Sequence, residues 1–113
     1  MHRGEIWIAS FRPWRGKEVG KTRPSVIVQA DWLINADSET ILALPMTTQL
    51  CPDTEPLRIP IAPRGRLKKP CYVMVDKMRA LDRAHFDRGP IASLDPEEMT
   101  AVERSLKAVL GFL

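Results

Sequence analysis

The sequence predicts a small, mostly antiparallel β-domain closed by a C-terminal helix. Three stretches carry that prediction: strict alternation in GEIWIAS (residues 4–10), β-branched residues in RPSVIVQA (23–30), and a helix-start signal in LDPEE (94–98). Period-two patterning fits a strand with one buried face. Ile6 and Ile8 point one way, while Glu5, Trp7 and Ala9 point the other. The chain has 113 residues, a typical length for one domain, and no repeat or boundary divides it. Residues 1–113 are therefore expected to form a single domain.

After the first strand, FRPWRGKEVGKT breaks all periodicity with Pro13, Gly16 and Gly20, as a long exposed loop would. RPSVIVQA is the clearest strand, with Pro24 near its start, where a missing N–H does least harm to the ladder. DWLINADSET is polar and turn-rich, with room for one helical turn. TILALPMTTQ (40–49) follows as a strand ending in polar residues. Prolines recur at 52, 56, 60, 63 and 70, which excludes a central strand there but tolerates a short edge strand at PLRIPI. CYVMVDKM (71–78) is a further strand, and RALDRAHFDRGPIAS supplies a short strand plus turns.

The end differs in kind. Asp95 is placed as N-cap, Pro96 at the first helical position and Glu98 where a capping box needs it. Met99, Val102, Leu106, Val109 and Leu110 share one helical face, a stripe for core or dimer packing. Glu103 and Lys107 form a favourable i,i+4 pair, and Gly111 is placed to end the helix.

With 44% hydrophobic and 27% charged residues, the composition is globular and argues against a disordered chain. A formal net charge of +3 suits a polyanionic partner without requiring one. No apolar run approaches the roughly 20 residues of a membrane span. The N-terminal segment carries Glu5 inside its apolar part, unlike a signal peptide. No membrane partner is expected, and a cytoplasmic location is the default. Cys51 and Cys71 form no C-x-x-C pair and have no histidine cluster nearby, so reduced thiols are expected and a structural zinc site is not.

RGEIW, RP followed by VIVQ, LPMTTQ at a strand end, VDKMRALD and LDPEEMTAVERSLKAVLGFL occur in this order. The sequence thereby resembles the MazF/PemK/Kid toxins of type II toxin–antitoxin systems, over residues 3–110. The resemblance implies a compact SH3-like antiparallel β-barrel of the CcdB/Kid/PemK type with a C-terminal helix, and a symmetric homodimer. It also implies sequence-specific, metal-independent cleavage of single-stranded RNA, no cofactor, and neutralisation by a MazE-like antitoxin.

Such cleavage must remove the ribose 2′-OH proton, stabilise charge on the phosphorane oxygens and protonate the leaving 5′-oxygen. Arg23 matches the family's catalytic arginine; its planar fork can bind two phosphate oxygens at once. Pro24 disfavours helix at Arg23 and helps aim it. Thr47 matches the family's catalytic Ser/Thr and is expected to donate to a non-bridging oxygen. Arginine stays protonated at ordinary pH, so Glu18, at the acidic position of the family's G-x-E loop, is the easier acceptor for the 2′-OH proton. Trp14, Lys17, Lys21, Thr48, Gln49, Asp76, Lys77 and Arg79 are candidates to line the RNA groove, with Trp14 offering a ring on which a base can stack.

The sequence departs from common family patterns at Lys17, where several members have His, and at Lys77, where many have Gln. Met74 stands where one branch has a catalytic arginine, leaving Arg23 to carry arginine chemistry alone. Without the family, Arg23 is equally a strand-end charge, Thr47 and Thr48 are strand-closing residues, and the other charges form a solvated face. Asp76 is then a structural holder of Arg79, and Trp7 and Trp32 belong to a core or interface. His2 and His85 are isolated. Two rival functions remain open: a non-enzymatic gyrase-binding toxin of the same fold, and a catalytically inactive nucleic-acid-binding module. The first is disfavoured by a C-terminus ending LGFL, with no tryptophan.

Overall fold

The computed structural model describes residues 1–11, 21–50, 52–54 and 57–112. Its strands are β1 (Glu5–Phe11), β2 (Lys21–Ile27), β3 (Thr40–Thr47), β4 (Arg58–Ile61), β5 (Cys71–Met74), β6 (Arg79–Asp82) and β7 (Ala92–Ser93). Helix α1 (Asp31–Asn35) joins β2 to β3, and helix α2 (Pro96–Val109) follows β7.

Strand β3 organises the sheet. One of its edges pairs antiparallel with β2, from Ser25↔Pro45 to Ile27↔Ala43. Its other edge is shared, residues 40–43 pairing with β6 and residues 46–47 with β5. Two neighbours on one edge must diverge, and the sheet curls into a half-barrel of order β4-β5-β3-β2-β1-β7. β4 lies at the outer end of that order, where Pro60 does not break a central ladder.

Alternation gives the curled sheet two lined faces. On one, Ile6, Val26, Leu44, Met46 and Val73 form the main core beneath Val102 of α2, with Met99 and Leu106 packed alongside. Burying a side chain such as Val102 contributes roughly 1.5–3 kcal/mol. On the other face, Ile27, Ile41 and Ala43 pack with Ile34 of α1, and Met1, Trp7 and Phe86 close over them.

Local signals set α2. The Asp95 side chain accepts from the Glu98 amide at 2.8 Å, and Glu98 Oε1 accepts from the Asp95 amide at 2.9 Å. Such a cap contributes about 1 kcal/mol. At the other end Gly111 adopts φ +81°. Its amide donates to Ala108 O (3.2 Å), while the Phe112 amide donates to Lys107 O (2.8 Å), a Schellman closure. Glu98 also binds the Arg64 guanidinium through both carboxylate oxygens, which ties the β4–β5 connection to the helix start.

Several details differ from the sequence expectations. The strand expected over 71–78 stops at Met74, because Val75–Lys77 forms a 3-10 turn in which Asp76 is gripped by Arg58. The strand expected over 23–30 begins at Lys21 and ends at Ile27. There the Val28 and Gln29 amides both donate to Leu42 O, a bulge-like interruption, while Gln29 Oε1 accepts from the Leu42 amide at 3.0 Å. Glu103 pairs with Arg3 at 2.7 Å rather than with Lys107. The apolar stripe of α2 outruns the sheet, leaving Val109 and Leu110 exposed. Trp32 is 72% exposed and belongs to no core formed by the described residues. Cys71 is buried, and burial pushes its thiol pKa up; Cys51 lies outside the described residues. No helix among the described residues is long and apolar enough to cross a membrane.

Candidate functional site

Strand register decides which side chains meet. Arg23 pairs with Ala9 across β1–β2. The β2–β3 register runs to Ser25↔Pro45, and carried on to the strand ends it aligns Arg23 with Thr47 on one face. Across β3–β5, Thr47 pairs with Tyr72, and the next position on that face brings Met74 beside Pro45. Direct cross-strand neighbours share a face. Arg23, Pro45, Thr47, Tyr72 and Met74 therefore look out from the same side of the sheet, beyond the cluster around Ile27 and Ile41.

A cleft of about 380 Å³ opens there, lined by Phe11, Arg23, Pro45, Met74, Lys77, Met78 and Arg79. Its walls combine apolar side chains with three cations, and no carboxylate is among the described residues that line it. The Arg79 guanidinium lies 5.7 Å from the Phe11 ring centroid. A contact of that kind contributes about 0.5–1 kcal/mol where exposed and orients the charged group.

Asp76 stands beside this cleft with its charge already engaged. Arg58 Nη1 lies 2.5 Å from Asp76 Oδ1, and Lys77 Nζ lies 3.8 Å from Oδ2. Burial opposes ionisation of Asp76. The hydrogen bonds from Arg58 and from its own backbone amide, with the charges of Arg58 and Lys77, outweigh that and hold the carboxyl below its ordinary range. Asp76 thus remains an anion paired to Arg58, and not to Arg79 as one expectation had it.

The structure brings together Arg23, Lys77 and Arg79 of the sequence candidates, with Thr47 on the same face. The Thr47 hydroxyl accepts from the Gln49 amide at 3.2 Å, leaving its own proton free to be donated. Gln49 is exposed just past the strand. Thr48 points to the opposite face, into a separate hollow with Ile8 and Pro24. Trp14, Lys17 and Glu18 lie outside the described residues, and Lys21 is described only as a backbone partner of Phe11.

Sequence reasoning missed Arg58, Tyr72 and Phe11. For Arg58 the available signal was alternation in RIPI: Ile59 and Ile61 face the core, so Arg58 and Pro60 must face the other way. Its register to Met74 is non-local and could not be read from that segment.

Arg23 and Arg79, with Lys77 beside its partner Asp76, stand over apolar walls and can hold a polyanion's phosphates while its less polar parts rest on Phe11, Pro45 and the methionines. The fold is shared with solved toxins. A chain of the MazE–MazF complex from Deinococcus radiodurans matches with a TM-score of 0.79 at 21% identity, over 100% of this chain and 97% of that one. The Mycobacterium tuberculosis toxin MazF-mt6 matches with a TM-score of 0.74 at 18% identity, over 95% and 96%. A mycobacterial endoribonuclease in complex with its cognate antitoxin matches with a TM-score of 0.76 at 20% identity, over 100% and 97%. The sequence profile of the PemK-like, MazF-like toxins of type II toxin–antitoxin systems matches residues 2–110, and the chain belongs to that family.

Proposed function

We propose that this toxin is an endoribonuclease that cuts single-stranded RNA, such as mRNA, without a metal ion, stopping translation and growth. The observation that carries this reading is the cleft itself, where the cations Arg23, Lys77 and Arg79 converge between apolar walls. The ribose 2′-OH attacks the adjacent phosphorus and the P–O5′ bond breaks, leaving a 2′,3′-cyclic phosphate and a 5′-OH. The proton lost from the 2′-OH goes to a base, and the 5′-oxygen gains one.

Arg23 supplies two parallel donors to the non-bridging oxygens, a charge-matched contact strongest as negative charge accumulates in the transition state. The Thr47 hydroxyl donates to the same group of oxygens. Glu18 is assigned the 2′-OH proton, being an anion at neutral pH where arginine is no acceptor. Lys77 and Arg79, with Lys17, Lys21 and Gln49, are assigned to the flanking RNA. Asp76 is assigned to holding Lys77 rather than to proton transfer.

A MazE-like antitoxin is the proposed restraint, supported by the antitoxin complexes of the structural neighbours. The functional unit is a homodimer in the cytoplasm, where mRNA is available. The test is incubation of wild type, Arg23→Ala and Thr47→Ala with a long single-stranded RNA in EDTA, followed by mapping of 5′ ends. Cuts at a short recurring sequence, lost in Arg23→Ala, support the reading. Intact RNA after incubation with folded wild type overturns it, and cuts that vanish in EDTA overturn metal independence.

A further inference from the structure

His85, isolated in the sequence, lines in the fold a hollow of about 240 Å³ with Ile8, Ser10, Thr22, Phe86 and Asp87. Pockets for whole small ligands begin at roughly 300 Å³, so this hollow suits one planar ring of a larger molecule. Its wall is fixed from several sides. Arg83 donates to Ser38 O at 2.7 Å and to Ile34 O at 2.5 Å, which holds the turn Arg83–His85. Phe86 bridges to Ala9 and packs on the Ile27 cluster, and the Asp87 amide donates to Ile8 O at 2.8 Å.

The polar groups of the hollow are few and their roles are set. His85 Nδ1 is buried with no hydrogen-bond partner among the described residues. A proton there would make a buried N–H without an acceptor, so the ring carries its proton on Nε2 and offers that nitrogen as a donor. Asp87 supplies the acceptor. Its Oδ1 already takes the Arg88 amide at 2.8 Å, which orients the carboxylate and leaves lone pairs on both oxygens. The hydroxyls of Ser10 and Thr22, direct cross-strand partners, can donate or accept. No lysine or arginine is among the described residues that line the hollow, so its chemistry suits an uncharged ring and not a phosphate.

We propose that this hollow reads one guanine of the RNA substrate, at a position flanking the scissile bond; the inference rests on the ribonuclease reading. Guanine offers two adjacent donors, N1–H and N2–H, beside the O6 acceptor. The Asp87 carboxylate takes the two donors, His85 Nε2–H meets O6, and Phe86 and Ile8 bracket the ring. Uracil has one donor on that edge, and adenine and cytosine place a ring acceptor where guanine has N1–H. Thr22 precedes Arg23 and Ser10 precedes Phe11, so the hollow and the cleft flank the same two strand ends from opposite faces. An RNA strand that turns over those ends reaches both. His85 and Asp87 act on specificity and touch no reacting atom.

The test uses the full chain with isotope-labelled histidine and uncleavable 2′-deoxy pentanucleotides: UUGUU, UUAUU, UUUUU and a form of UUGUU with inosine for guanine. His2 and His85 are the only histidines, so His85→Gln assigns the signal. The His85 ring signal shifts and saturates with UUGUU. Inosine, which lacks the N2 amine, weakens binding about tenfold, and so does uracil. Asp87→Asn binds all of them alike; Asp87 is exposed, and the thermal midpoint of the variant checks its fold. Absence of a saturable shift with UUGUU overturns the proposal and leaves a hollow for water. Equal binding of UUGUU and UUUUU, tighter binding of UUAUU, or an undiminished guanine preference in Asp87→Asn overturns it as well. Cleavage of a long RNA by wild type is measured alongside. A guanine-dependent shift beside intact RNA supports the hollow while overturning the ribonuclease reading, which keeps the two failures distinct.

Discussion

Arg58 reaches across from β4 to place Nη1 2.5 Å from Asp76 Oδ1, and its side chain is only 9% exposed. Arg58 is also the direct cross-strand partner of Met74, the residue that stands where one branch of the family has an arginine. The guanidinium nearest Asp76 is thus delivered from the neighbouring strand. It fixes the 3-10 turn Val75–Lys77, from whose end Lys77 and Met78 enter the cleft.

If Arg58 and Asp76 act as one unit, their losses do not add. Removing either leaves the other partly buried without its main charge partner, a coupled effect of about 0.5–3 kcal/mol. Arg58→Gln and Asp76→Asn are each expected to lower kcat/KM about tenfold, with the double variant no worse than the weaker single. Single-turnover RNA cleavage measures this. Multiplying losses would show two separate roles, and abolition by Asp76→Asn with no effect of Arg58→Gln would make Asp76 a proton acceptor after all.

Arg23 carries the heaviest catalytic assignment. Arg23→Ala is expected to reduce the rate about 10²–10³-fold, the cost typical of losing a transition-state donor. Arg23→Lys should recover little of it, because an ammonium cannot make two parallel bonds in the plane of a guanidinium. Thr47→Ser should stay near wild type and Thr47→Ala should not, since only the hydroxyl is needed. RNA affinity measured in parallel separates binding from chemistry. A loss confined to KM would place both residues in substrate binding alone.

Glu98 couples helix capping to the Arg64 ion pair, and its pH dependence has a defined sign. The hydrogen bond from Arg64 leads the depression of its pKa; burial opposes it, while hydrogen bonds from Asp95 and the charge of Arg64 add to it. A depressed carboxyl contributes stability that is complete above its unfolded value, about 4.3, and fades as pH falls through the lower folded value. Glu98→Gln should therefore cost about 1–2 kcal/mol at pH 7. The gap to wild type should narrow below about pH 4. Urea unfolding at both pH values checks this, and a gap constant with pH would assign the effect to packing.

How much was legible depended on how local each interaction is. The start and end of α2 were readable because Asp95, Pro96, Glu98 and Gly111 act within a few residues of one another. Arg23 and Thr47 are proposed from ordered motifs, and strand register places the two on one face. The end of β5 at Met74 was not readable, because it depends on Arg58 from another strand. Glu103 was assigned to Lys107 one turn away, yet Arg3 takes it across 100 residues of chain, as only the fold could reveal. Thr48 was grouped with Thr47, and period-two geometry turns the two to opposite faces.

The loop that carries Arg64, Arg66, Lys68 and Lys69 turns at Gly65, which has φ +52°. A Cβ built there would lie 2.7 Å from Ile91 O, a backbone atom that cannot move aside cheaply. Gly111 also has a positive φ, +81°, but nothing lies within 4 Å of its Cβ position. The pair separates conformational preference from steric exclusion. Gly111→Ala pays only for a left-handed alanine, about 1 kcal/mol. Gly65→Ala bears that cost and must also displace the backbone that meets Arg66 and Ile91, for a total of about 2–4 kcal/mol. It should also loosen Arg64 from Glu98. Adding Glu98→Gln to Gly65→Ala should then cost less than Glu98→Gln does alone, which denaturant unfolding of the four proteins measures directly. Equal losses at Gly65 and Gly111 would mean that the loop yields to the methyl group and that its geometry is set elsewhere.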